Sequence, residues 1–264
     1  MLMKFILGKS NNGIWKALKG GVIKLPSPFE GLSPGRRTID RRLSGNDRMV
    51  EAFLKRVMWR LILKLASSPK AVIIDSTELV ADPRKDKGGA WGYNSKGNFY
   101  GYKLHLLSTE NSIPIGFKVT IGSVHDVKMF IPLFRDSLSI LRKLKTVEYL
   151  IGDAAYDSIK AMGEVIGIDL MPVIKLNRRR GRPRGIRAKI GRFLETEEGQ
   201  RVFSLRGAIE RTNSFLKEGM RIEGFPSYIR GLKRVALFVR EKMLAALTMM
   251  LTNLKTQKPL LSYA

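Results

Sequence analysis

The 264-residue chain has no cysteine, which excludes a disulfide scaffold, any Cys-ligated zinc or iron–sulfur centre, and thiol catalysis. Two histidines leave no room for a His-rich metal site. A metal would have to be held by carboxylates, and their oxygens suit a hard cation such as Mg2+ or Mn2+. Acidic residues are scarce too: 23 Asp and Glu stand against 48 Lys and Arg, a formal net charge of +25. A compact chain with that charge repels itself unless a polyanion is near, so the implied partner class is nucleic acid. Long apolar runs are missing. The longest near the C-terminus, Met243 to Leu251, is nine residues and abuts Arg240, Glu241 and Lys242, whereas a membrane span takes about 20. The N-terminal MLMKFILGKSNN carries no signal-peptide cleavage pattern. The chain reads as soluble and cytoplasmic, with no membrane partner. Hydrophobic residues are not lacking: at 44% they supply a core and exclude global disorder.

The chain divides by pattern. Residues 1–67 form a basic, mostly helical N-terminal region, a candidate DNA-end-binding module. Ser33-Pro34 reads as a helix start before Arg36, Arg37, Arg41 and Arg42, and a longer helix is predicted over 47–66 with Met49, Phe53, Val57, Leu61 and Leu65 along one stripe. From residue 68 to 264 the pattern changes. Ala71–Ile74 is a short β-branched run, predicted as a buried strand ending at Asp75. Residues 82–98 read as a Gly-, Lys- and Asn-rich loop. Phe99–Ser108 and Pro114–Ile121 read as hairpin strands. Asp126 sits at the N-cap of a helix over 127–144, and Val147–Ile151 is a further strand before Gly152-Asp153. A helix near 158–167, a strand near 169–174, a basic insertion near 175–200, and helices over 201–219 and 231–255 complete the order. This is an α/β domain with a mixed sheet flanked by helices.

Three acidic positions stand out. Asp75 and Asp153 each follow an apolar strand, where a carboxylate is costly unless it caps a turn or binds a cation, and strand ends of α/β sheets are where ligands sit. Glu210 lies in a predicted helix with Arg206 and Lys217. At 100° per residue Arg206 falls ~40° and Lys217 ~20° from Glu210, so all three share a face. That pattern fits a surface ion-pair stripe. It also fits a third carboxylate for a pair of metal ions about 3.5–4 Å apart, with cations for DNA phosphates. Arg178 to Arg192 holds seven Arg and one Lys with no acidic residue, a composition suited to an arm on a DNA backbone, with Arg178, Arg179, Arg180, Arg182 and Arg184 leading it. Lys103 and His105 alternate onto one strand face, where Lys103 could meet phosphate and His105 either flank a metal or hydrogen-bond within the sheet. Trp91 lies by a basic loop, where base stacking is open to it.

The spacing Phe203-x2-Arg206-x3-Glu210-x6-Lys217 resembles the Tyr-Arg-Glu-Lys signature of DDE-class insertion-sequence transposases. Ile73-Ile74-Asp75-Ser76-Thr77 and Gly152-Asp153-Ala154-Ala155-Tyr156-Asp157 resemble that family's first and second Asp motifs, and Gly101-Tyr102-Lys103-Leu104-His105-Leu106 its second-strand motif. The resemblance spans about residues 70–250. It implies an RNase H-like fold with a five-stranded mixed sheet, and Asp75, Asp153 and Glu210 as a catalytic triad holding two Mg2+ or Mn2+ ions. The implied reaction is phosphodiester cleavage at element ends and joining of the 3′-OH to target DNA. A homo-oligomer of at least two chains on DNA, in a prokaryotic cytoplasm at the nucleoid, is implied with it. Phe203 departs from the family, because the usual tyrosine hydroxyl is absent. An RNase H-like nuclease without strand transfer, and a decayed copy that only binds DNA, are the alternative readings.

Overall fold

The computed structural model describes residues 48–65, 68–94, 97–226 and 229–262, with the single positions 16, 19, 35 and 37 before them. The expected helix start at Ser33-Pro34 and Arg36, Arg41 and Arg42 lie outside the described residues; Arg37 is exposed.

Six strands form one sheet: β1 (Ala71–Val80), β2 (Ala90–Asn94), β3 (Gly97–Thr109), β4 (Pro114–Ile121), β5 (Tyr149–Gly152) and β6 (Met171–Ile174). β3 pairs antiparallel with β1 on one edge; its other edge takes β2 at the start and β4 further along. β5 adds parallel to β1, and β6 parallel to β5. Without β2 the order is β4-β3-β1-β5-β6, three antiparallel strands then two parallel ones. This is the five-stranded mixed sheet of the RNase H-like fold. β2 is an added sixth strand inside the segment read as a loop; its short hairpin with β3 spans Trp91↔Tyr100 and Tyr93↔Asn98. Gly101 marks where β3 changes partner. Its φ is +146°, and a Cβ there would meet the Leu79 carbonyl, so only glycine fits.

β1 is longer than its apolar run. Ala71–Ile74 are fully buried against β5, as a two-sided strand requires, but the ladder with β3 continues from Asp75↔Leu106 to Val80↔Gly101. Asp75 therefore lies inside a strand rather than at its end.

The helices are α1 (Arg48–Leu65), α2 (Asp126–Leu141), α3 (Ile159–Ile166), α4 (Ile186–Glu195), α5 (Glu197–Ser204), α6 (Gly207–Ser214) and α7 (Leu232–Lys255). α1 buries Met58, Ile62 and the predicted Leu65 in the same core as the sheet, with the predicted Val57 and Leu61 partly buried against it; the side chains of Met49 and Phe53 lie outside the described residues. The predicted 201–219 helix is three pieces. It breaks at Leu205-Arg206, ahead of Gly207, and Phe215–Gly219 is a π-helical turn. The basic insertion is likewise partly helical, since α4 starts at Ile186 and buries Ile190.

Candidate active site

The β1–β5 ladder ends at the pair Ile74↔Gly152. The next residue on each strand is an aspartate, so Asp75 and Asp153 leave neighbouring central strands at one level. Asp153 starts the 3-10 turn Ala154–Tyr156, and its Oδ1 accepts from the Ala155 amide at 2.9 Å. The capping role open to it at strand ends is thus realised by one of its two oxygens, beside Asp75.

Asp75 is held in an acidic surround. Burial above all pushes its carboxyl up to about 7; the Ser76 amide and the Arg206 guanidinium pull it partly back, and the charges of Asp153 and Asp126 add to the rise. Besides the Ser76 amide, Asn213 Nδ2 donates to the Asp75 Oδ2 at a long 3.2 Å. Tyr156, 1% exposed, lies in the same field. Burial, then the charges of Asp126, Asp75 and Asp153, drive its hydroxyl well above the ordinary range, and that hydroxyl lacks a well-formed hydrogen bond. The Asn213 Oδ1 and Arg206 Nε are also buried without a partner. Unsatisfied polar atoms are uncommon in native interiors, and three gather here.

Glu210 is on α6, one turn before Asn213. Its side chain is 64% exposed and pairs with Arg206 Nη1 at 3.1 Å. Arg206 therefore acts on both Glu210 and Asp75. Among the described residues no three of His, Cys, Asp and Glu cluster closely enough to hold a metal ion. The structure sets Asp75 and Asp153 together, docks the Glu210 helix over Asp75 through Asn213, and leaves the Glu210 carboxylate on Arg206. The donors nonetheless fit a hard cation. They are carboxylate oxygens, and a cation beside Asp75 would offset the burial and, after it, the neighbouring Asp153 charge that raise its carboxyl.

The remaining predicted residues are scattered. Lys217 does not pair with Glu210: from the π-helical turn its Nζ meets Glu78 Oε1 on β1 at 2.9 Å and Glu223 Oε2 at 3.5 Å. Lys103 is buried and paired with Asp126 at 3.1 Å, so a phosphate would have to displace that carboxylate. His105 is fully buried. Its Nε2 lies 2.8 Å from Thr120 Oγ1 and its Nδ1 3.7 Å from Asp126, and burial pulls its pKa down to about 4; it is a neutral sheet histidine at pH 7. Arg178, Arg179, Arg182 and Arg184 are exposed, and the Arg180 side chain lies outside the described residues. Trp91 and Tyr93 are 62% and 72% exposed, Trp91 edge-on to Tyr100 at 5.5 Å.

Three contributors went unread in the sequence. Asn213 follows Glu210 by three positions, the spacing that shares a helix face, and that spacing was the available signal. Asp126, expected at the N-cap, is the first helical residue; His125 takes the cap position. Freed from capping, its carboxylate faces Lys103 and His105. Arg187, counted among the arm's cations, is buried against Asp157, and no local pattern marks it.

A mixed sheet of this order, with acidic side chains leaving adjacent central strands at one level, defines an RNase H-like domain. The chain belongs to the Transposase DDE domain family, whose model matches residues 66–247. It is 23% identical over 214 residues to the "Probable transposase for insertion sequence element ISH11" of two strains of Halobacterium salinarum, covering 77% of this chain. The chain spans 63% of the length of those curated relatives. Among solved structures it is similar to a "Mos1 transposase paired-end complex with left transposon end", at 11% identity and a TM-score of 0.27, over 84% of this chain and 74% of that one; so low a score carries no argument about the site. No helix among the described residues is long and apolar enough to cross a membrane.

Proposed function

We propose that the chain is the catalytic part of an insertion-sequence DNA transposase that cuts phosphodiester bonds at element ends and joins the freed 3′-OH to target DNA. The observation that carries the reading is the register Ile74↔Gly152, which sets Asp75 and Asp153 side by side under the helix of Glu210. Asp75, Asp153 and Glu210 are the residues to hold two Mg2+ or Mn2+ ions. Such ions, when bound, supply activation of the attacking water or 3′-OH and stabilisation of the leaving oxygen. Glu210 joins the site by leaving Arg206, and the freed guanidinium then faces DNA phosphate. Lys217 and Lys103 serve a phosphate at the expense of Glu78 and Asp126, and the exposed arginines of 178–184 meet the backbone. His105, sealed in the sheet, orients Thr120 and Asp126 and does not reach a metal. Trp91 offers a flat face to a base. Residues 1–67 bind the element end, with α1 seating that region on the core of the catalytic domain, residues 68–264 with its basic insertion. At least two chains pair two ends on DNA, at the nucleoid of a prokaryotic cytoplasm.

The test is Glu210→Gln, assayed with Mg2+ on duplexes carrying the inverted repeats that flank the reading frame. The expected result is loss of both strand cleavage and strand transfer with end binding retained. Full activity in Glu210→Gln overturns the triad, and cleavage by the unaltered chain without joining reduces the reading to a nuclease.

A further inference from the structure

The strongest unassigned feature is a buried ion pair at the base of the basic loop. Asp157 is 1% exposed and Arg187 6%. Arg187 forks onto the carboxylate, with Nε 3.0 Å from Oδ1 and Nη2 2.8 Å from Oδ2. The same Oδ2 accepts from the Asn177 amide at 2.8 Å, and Arg187 Nη2 donates to the Asn177 carbonyl at 3.3 Å. Both ends of the segment from Asn177 to Arg187 are thus tied to one carboxylate. Between them lie the exposed Arg178, Arg179, Arg182 and Arg184, with Gly181 and Gly185 at φ +71° and +55° and open space around both. Asp157 itself is four residues past Asp153, and Lys175 N bonds Gly152 O at 3.1 Å. The neck of the loop therefore stands directly beside Asp153.

A buried pair of this kind adds little net stability, because desolvating both charges offsets most of their attraction. What a forked guanidinium–carboxylate contact supplies is fixed geometry. The segment that needs it is a run of like charges with two permissive glycines, which would otherwise spread by self-repulsion. We propose that Asp157 and Arg187 form a neck clamp that fixes where the 178–184 loop stands beside Asp153, so that its guanidinium groups meet phosphates of a DNA strand lying across the carboxylates. Arg187 is then a positioning residue and makes no DNA contact of its own. This rests on the DNA-arm reading above, and the experiment separates the two.

Because the chain has no cysteine, spin labels attach only where one is introduced. Exposed Lys160→Cys and Pro183→Cys in the full chain report the distance from the α3 start to the loop. With the clamp intact one narrow distribution is expected. Arg187→Met, measured well below its melting temperature, broadens it at least twofold, and Arg187→Lys recovers part of the width. In parallel, the slope of log affinity against log salt for a random 20-base-pair duplex falls by about two in Arg187→Met, near 0.9 for each phosphate that the loop no longer neutralises. Asp157→Asn, which keeps the Asn177 hydrogen bond and the side-chain shape, gives the same signs if Arg187→Met does not fold. An unchanged width or an unchanged slope in the variant that folds overturns the clamp. Replacing Arg178, Arg179, Arg182 and Arg184 together with Ala is the separate control. An unchanged slope there overturns the DNA-arm reading itself, whereas a fall there without one in the clamp variant overturns only the clamp.

Discussion

Asp157 is fully buried and Asp75 half-buried near the same end of the sheet, and the two carboxylates are treated in opposite ways. Asp157 takes three charge-assisted contacts from Arg187 and a backbone amide from Asn177, none longer than 3.2 Å. Asp75 takes the Ser76 amide and one long side-chain contact from Asn213, lies near but not on Arg206, and sits in the field of two other aspartates. A carboxylate whose lone pairs are filled by the protein holds structure together. One left underfilled, beside an unpartnered tyrosine hydroxyl and amide oxygen, is costly to the fold and has capacity for something else. Asp157 is committed to structure, whereas Asp75 keeps the capacity that the proposed function requires.

Substitutions that treat the two alike should fail in different ways. The largest effect is expected in the reaction itself. Asp75→Asn, Asp153→Asn or Glu210→Gln should each lower strand cleavage by at least about a hundredfold while leaving DNA affinity within about twofold, measured by gel assay and anisotropy; Asp157→Asn should spare more activity than any of them. Next comes stability. Arg187→Met leaves the Asp157 charge buried and should cost about 3–5 kcal/mol, lowering the melting temperature by roughly 10 °C. Asp75→Asn has the opposite sign and should stabilise the metal-free protein by about 1–3 kcal/mol at pH 8. A fall there would break the comparison.

The pH dependence sharpens it. Asp75 titrates near 7 in the fold against 3.8 unfolded, so the native state holds the extra proton between those values and stability drops as pH rises through that window. His105, pulled to about 4 from 6.5, acts the other way: the unfolded chain takes up a proton that the fold refuses, and stability is lost as pH falls from 6.5 towards 4. In the metal-free protein the two slopes oppose each other between about pH 4 and 6.5. Urea denaturation of Asp75→Asn should therefore expose a clear acid-side loss that the unaltered chain lacks. Mg2+ should raise the melting temperature more at pH 8 than at pH 5.5, and in Asp75→Asn at neither. The smallest expected effect is at Trp91, on the exposed hairpin far from this contrast in kind. Trp91→Ala should leave stability within about 0.5 kcal/mol and weaken single-stranded DNA binding by about tenfold.

How far the sequence could be read depended on how local the cause was. The alternation of apolar runs and amphipathic stretches placed every strand of the mixed sheet except β2, and set Asp75 and Asp153 just past the two apolar runs that pair in parallel. It stopped β1 too early because beyond Asp75 the apolar run is broken and the ladder is sustained by β3, about twenty to thirty residues away, with Leu79 alone fully buried there. It ran one helix from 201 to 219 because periodicity does not register the break before Gly207 or the π-helical turn, and so Lys217 was placed on the wrong neighbour. Arg187 looked like its seven basic companions until Asp157, thirty positions earlier, was brought against it.

The three acids of the proposed triad differ in how their backbones are held, and this bears on the order of events. Asp75 lies within the β1–β3 ladder, one residue past the end of the β1–β5 ladder. Asp153 opens a three-residue turn, and Glu210 rides an eight-residue helix that gives way to a π-helical turn. If the proposed triad holds, one fixed post and two acids on short elements would make up the chelate. Glu210 would have to leave Arg206 to complete it, so a DNA phosphate drawing that guanidinium away would tighten cation binding when substrate is already in place.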